Sequence, residues 1–116
     1  MEPPAWVTNE QSWRRNCRRI VARCGDLLDG RIGVIAAAQQ LSKLRHWVRA
    51  DDDPDFQIFI AIESESDHLP TGNERQHWAP DALKTKDVEI REIEEFHRAG
   101  ALEAARKLQA KYANKA

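Results

Sequence analysis

Long apolar runs are missing from these 116 residues. No stretch approaches the roughly eighteen apolar residues that a membrane-spanning helix requires. The opening Met1-Glu2-Pro3-Pro4-Ala5-Trp6 has an acid where an export leader carries basic residues, and no apolar core follows it, so it does not read as a secretory signal. Cysteine is scarce, with only Cys17 and Cys24. On a helix these two would lie about 10 Å apart along the axis, too far for a disulfide. Buried thiols in a reducing, cytoplasmic compartment are therefore expected. Catalytic signatures are missing as well: there is no Gly-x-Ser-x-Gly elbow, no Walker loop and no His-Glu-x-x-His. Charge of one sign is not in excess, because 18 Lys and Arg stand against 19 Asp and Glu for a net charge of −1. That total excludes neither a nucleic-acid partner nor a protein partner.

What is present is a core-forming composition. An apolar share of 41% beside 32% charged residues is ordinary for a small globular protein and too apolar for a disordered one. The length predicts one domain over residues 1–116, with 1–7 as an N-terminal arm tied down by Trp6 and 113–116 as a frayed tail.

The charge is segregated along the chain. Residues 1–49 hold nine basic and four acidic side chains, residues 75–116 hold nine and seven, and residues 50–74 hold eight acids and no base. An uncompensated patch of this kind steers association with a charged partner even at near-zero net charge.

Hydrophobic periodicity predicts helices throughout. Thr8-Asn9-Glu10-Gln11 matches a capping box, and Trp13, Cys17, Ile20, Cys24 and Leu27 follow at helical spacing until Asp29-Gly30 stops the run. Val34, Ala37, Leu41, Leu44 and Val48 define a second helix, joined to the first as an antiparallel hairpin. Residues 56–62 are rich in β-branched and aromatic side chains and locally favour a strand. No second strand is in sight to pair with it, so a buried helix is preferred, started by Asp53 as N-cap and Pro54 in the first turn. Residues 66–80, with Pro70, Gly72 and Pro80, read as an ordered loop pinned by Leu69 and Trp78. Leu83, Ile90, Ile93 and Phe96 then continue at helical spacing, Gly100 breaks the helix, and Leu102, Ala105, Leu108 and Tyr112 form a last one. The expected fold is all-α, a compact bundle of four to five helices with one ordered Pro/Gly-containing loop.

Candidate chemistry is sparse. Glu74-x-x-His77 and Glu94-x-x-His97 have the spacing of di-metal sites in helix bundles. The first pair falls in a Pro/Gly loop and the second among charges suggesting a solvated face, so surface histidines and no metal or cofactor are expected. Glu63, Glu65, Asp67 and His68 offer carboxylates and an imidazole for a small hydrolase, but on a helix Glu65 points away from Glu63 and Asp67. Arg14, Arg15, Arg18, Arg19 and Arg23 cluster on the first helix and suit phosphate, the basis of a nucleic-acid reading. Against it stand a pI of about 6.4 and aromatics phased with the core. The same arginines have an intramolecular alternative in the acids of 51–55 or 89–95. Of four tryptophans, Trp13 is phased with the core, whereas Trp6, Trp47 and Trp78 fall near helix ends or in loops, where an indole packs an edge or anchors an interface.

The run Gly30-Arg31-Ile32-Gly33-Val34-Ile35-Ala36-Ala37-Ala38-Gln39-Gln40-Leu41, followed by Leu44-Arg45, Asp52-Asp53-Pro54-Asp55-Phe56, the Ser64-x-x-Asp67-x-Leu69-Pro70-x-Gly72 element and Arg75-x-x-Trp78, resembles a family of small bacterial proteins with no assigned activity. The resemblance spans about residues 24–92, and its most specific part is the Ser-x-x-Asp-x-Leu-Pro-x-Gly element. Some proteins of this kind look like immunity proteins encoded beside polymorphic toxins. The resemblance implies no catalytic residue. The charge pattern independently suits that role, since an immunity protein facing a basic nuclease needs acids aligned with the phosphate-binding surface. The expected function is non-enzymatic binding of a protein partner, in its sharpest form a basic toxin, through Asp51, Asp52, Asp53, Asp55, Glu65, Asp67, His68 and Trp78. Nucleic-acid binding through Arg14, Arg15, Arg18 and Arg19 is the alternative, and a small hydrolase the third.

Overall fold

The computed structural model describes residues 2–116. Four α-helices and one 3-10 turn account for the regular structure of the described residues: α1 (Glu10–Leu28), α2 (Val34–Trp47), α3 (Pro54–Ser66), the 3-10 segment Asn73–His77, and α4 (Pro80–Ala113). The bundle is all-α, and residues 56–62 lie within α3. No helix among the described residues is long and apolar enough to cross a membrane.

Each helix starts for a local reason. Asn9 rather than Thr8 caps α1, its side chain accepting a hydrogen bond from the Ser12 N–H at 3.0 Å. The helix thus begins one residue later than the capping-box match implied. Its C-terminus closes through Asp29, and Gly30 takes the left-handed backbone (φ 75°) that glycine tolerates best. Asp53 caps α3 as expected, accepting from the Asp55 N–H at 2.9 Å with Pro54 in the first turn. Gly33 precedes α2 without any side-chain cap of its own.

The core joins Trp13, Cys17, Ile20, Cys24 and Leu27 of α1 to Val34, Leu41 and Leu44 of α2, Phe56, Phe59 and Ile62 of α3, and Ala101, Ala105, Leu108 and Tyr112 of α4. α1 packs on α2 and α4, and α3 packs on both of the latter. Both cysteines are free and fully buried. Burial raises the Cys17 thiol and pushes that of Cys24 up to about 12, which makes them inert packing groups.

Two sequence expectations are corrected at the C-terminal end. Gly100 does not break the helix: α4 runs unbroken for 34 residues, about 50 Å at 1.5 Å per residue, matching the 52 Å long axis of the molecule. Its fully buried residues all lie from Ala101 onward, while its first half is half-buried along one face, where Ile90 and Ile93 pack against the edge of the core. Phe96, expected in the core, is 82% exposed on that half. After Ala113 the Lys115 carbonyl accepts from Arg14 at 3.4 Å and the Lys115 ammonium lies over the Tyr112 ring. At the other end Trp6 is held as expected, its half-buried ring 4.8 Å beneath the Arg49 guanidinium.

The loop after α3 is folded against α2 and α4. Leu69 is buried, but Trp78 is 36% exposed, so the second pin is not the indole. Arg75 takes its place, its guanidinium forking onto Asp87 of α4 at 2.7 and 3.0 Å and reaching the Pro70 carbonyl at 2.8 Å. Gln39 of α2 donates to the Thr71 hydroxyl at 3.0 Å, and the Glu74 carboxylate accepts from the Thr71 and Gly72 N–H groups.

Candidate functional site

The acids of the middle segment divide into two sets. Asp53 and Asp55, at the start of α3, both receive the Lys111 ammonium of α4, at 2.8 to 2.9 Å. Burial disfavours that ammonium, yet the two carboxylates outweigh it and raise its pKa. Glu65 meets His97 of α4 at 2.8 Å, and His68 meets Glu89 at 2.9 Å. These contacts fasten α3 and the following loop to α4 and take Asp53, Asp55, Glu65 and His68 largely out of consideration as contacts for another molecule. The internal partners are not the arginines of α1. Arg14 pairs with Glu10 and Arg23 with Asp26, each within its own helix.

The second set borders a groove between α2 and α3. Ile60, Glu63, Ser64 and Asp67 recur at helical spacing along α3 and face Ser42, Lys43, Arg45 and His46 of α2 across a concavity of about 360 Å³. Asp51 closes one end, its Oδ1 2.7 Å from His46 Nδ1 and 3.8 Å from Arg45 Nε. Asp67 lies exposed at the other, and Asp52 stands exposed beside Asp51. Two groups in this groove are buried without a hydrogen-bond partner: the Ser42 hydroxyl, on a residue only 2% exposed, and Arg45 Nε. Arg45 Nη1 donates to the Ser42 carbonyl, which fixes the guanidinium along the groove. Buried polar groups are normally hydrogen-bonded; here Arg45 Nε has only the Asp51 carboxylate at 3.8 Å, and the Ser42 hydroxyl has no partner.

The predicted contacts are therefore only partly brought together. Asp67 lines the groove and Asp51 meets its Arg45 and His46, whereas Asp52 and Trp78, the latter in the loop ahead of α4, do not line it. Ser42, Arg45 and Glu63 join as groove residues that the charge count did not single out as contacts. A buried serine carries no signal in a one-dimensional charge pattern. Arg45 sits in the resemblance motif but was given no role.

The hydrolase constellation is dispersed, with Glu65 and His68 engaged by α4 and Glu63 and Asp67 on the groove. The metal-like pairs have structural uses: Glu74 holds its own loop, and Glu94 reaches the start of α2, accepting from the Ile35 N–H at 3.1 Å. The solvated face expected around Glu94 and His97 is thus corrected, as both are half-buried between elements. Among the described residues no group of three or more His, Cys, Asp or Glu converges as metal ligands would.

The arginine face of α1 is intact. Arg15, Arg18 and Arg19 are exposed, and no carboxylate meets them among the described residues. No protein-family model, no curated protein and no solved structure matches the chain.

Proposed function

We propose that this protein is a non-enzymatic binding module of the reducing cytoplasm that docks a basic protein surface in the α2–α3 groove, in the manner of a toxin-immunity protein. One observation carries the reading: the Ser42 hydroxyl, buried without a hydrogen-bond partner, lies in a groove bordered by the carboxylates of Asp51, Glu63 and Asp67. A lysine or arginine of the partner finds carboxylates there, and a hydrogen-bonding group of the partner finds the Ser42 hydroxyl. Asp67, exposed on the groove, and Asp52, exposed beside Asp51, supply the uncompensated charge that speeds encounter. Free, buried thiols fit a reducing compartment.

Parallel capture from source-cell lysate tests the proposal, with wild-type bait beside a Glu63→Lys/Asp67→Lys bait. A basic protein retained by the first and lost from the second, with a wild-type association rate that falls as salt rises, is the expected result. Identical proteins on both baits would overturn it.

A further inference from the structure

A second concavity lies between α1 and α2 and shares only Lys43 with the proposed protein-binding groove. It measures about 440 Å³, within the range of ligand sites, and is lined by Arg19 and Arg23 of α1 and by Gln40, Lys43, Leu44 and Trp47 of α2. Trp47 is 67% exposed. An indole left in water beside three cations has no role in packing the bundle, since the core closes without it. Arg19 and Lys43 have no hydrogen-bond or ion-pair partner among the described residues. Arg23 is braced by Asp26 at 3.0 Å and by Gln40 at 3.4 Å, while its buried Nε keeps no partner. Asp26 is the carboxylate that ion-pairs within this set, so the cations outnumber it.

We propose that this concavity binds single-stranded nucleic acid, one base stacking on Trp47 and its phosphate held by Arg19, Arg23 and Lys43. Two features favour a strand over another anion. A flat aromatic surface among cations is the pairing of base stacking with phosphate neutralisation found on single-strand binders. In addition Arg15, Arg19 and Arg23 follow at four-residue steps, a row rising about 6 Å per step along α1, which continues the cationic track beyond one nucleotide. The row differs from the arginine cluster read in the sequence: Arg14 is engaged by Glu10 and drops out, while Lys43 and Trp47 enter from α2.

Fluorescence anisotropy of a labelled short oligothymidylate at two salt concentrations tests the site. Binding is expected to weaken steeply as salt rises, and Arg19→Ala and Lys43→Ala should each reduce the logarithmic salt slope by about one. Trp47→Ala should weaken binding by about tenfold, with Trp47→Phe retaining most of it. Trp47 is exposed, so its truncation leaves the fold intact, checked by an unchanged helical circular dichroism. Arg106→Ala, an exposed arginine on α4, should bind like the wild type. Three results would each overturn the proposal: no binding at low salt, a Trp47→Ala affinity equal to wild type, or competition by polyglutamate as effective as by unlabelled oligothymidylate. A mononucleotide binding as tightly as the strand would overturn the strand as occupant.

Discussion

Glu94 of α4 lies against Gly33, the residue that precedes α2: a Cβ built on Gly33 would come 2.5 Å from its Oε2. The same oxygen accepts the hydrogen bond of the Ile35 N–H. A helix start without a side-chain cap of its own is therefore capped from another helix, and only a residue lacking Cβ admits the carboxylate. Glu94→Ala should cost about 1 kcal/mol, the usual worth of a lost N-cap. Gly33→Ala should cost a similar amount by displacing Glu94. The double variant should then cost little more than either single one, as read from urea unfolding. Strict additivity would show that the glycine and the carboxylate act separately.

Gly100 lies against Ile58 of α3, and a Cβ there would meet Ile58 Cδ1 at 2.7 Å. Alanine at this position would gain about 1 kcal/mol of helix propensity and lose it to that collision. Valine at position 58 removes the colliding methyl. Gly100→Ala is thus expected to be more favourable by about 1 kcal/mol in an Ile58→Val background than alone. Equal effects of Gly100→Ala in both backgrounds would exclude the close approach as the reason for the glycine.

The same glycine shows where legibility in the sequence ends. The periodicity of α1 and α2, the Asp53-Pro54 start of α3 and the Gly30 stop were all readable, because each rests on side chains within a turn or two of one another. Gly100 looked like a helix stop because a one-dimensional pattern cannot separate glycine that ends a helix from glycine that admits a neighbour. Phe96 kept helical phase but faces solvent, since the inward face of this stretch runs through Ile90, Ile93, Glu94 and His97 instead. The segregation of acids was visible from the counts. Their division into a fastened set and a groove-lining set was not, because Lys111 and His97 lie more than thirty residues from the acids they hold.

Acid should loosen the loop clip. Hydrogen bonds from Arg75 hold the Asp87 carboxyl below its ordinary value of 3.8, although desolvation works against this. A carboxyl depressed in the folded state contributes stability that is present above its unfolded value and is lost as pH falls through its folded value. The stability gap between wild type and Asp87→Asn should therefore be open at pH 6 and close as the pH drops below about 3.8. Urea midpoints measured across that range provide the check, and a gap of constant size would contradict it.

Ser42 separates stability from binding. A buried hydroxyl without a partner costs the folded chain about 1 to 3 kcal/mol of desolvation, and alanine at that position removes the cost while leaving almost no cavity. Ser42→Ala is expected to raise the urea midpoint, whereas truncations of buried residues usually lower it. If the hydroxyl is kept for the docked protein, the same substitution should weaken capture of the basic partner, because a hydrogen-bonding group of that partner then goes unanswered. A variant both more stable and poorer at binding is the signature of a polar group retained for function at the expense of the fold. Lower stability in Ser42→Ala would mean instead that the hydroxyl already has a partner inside the bundle, and the groove would lose its unpaired hydroxyl.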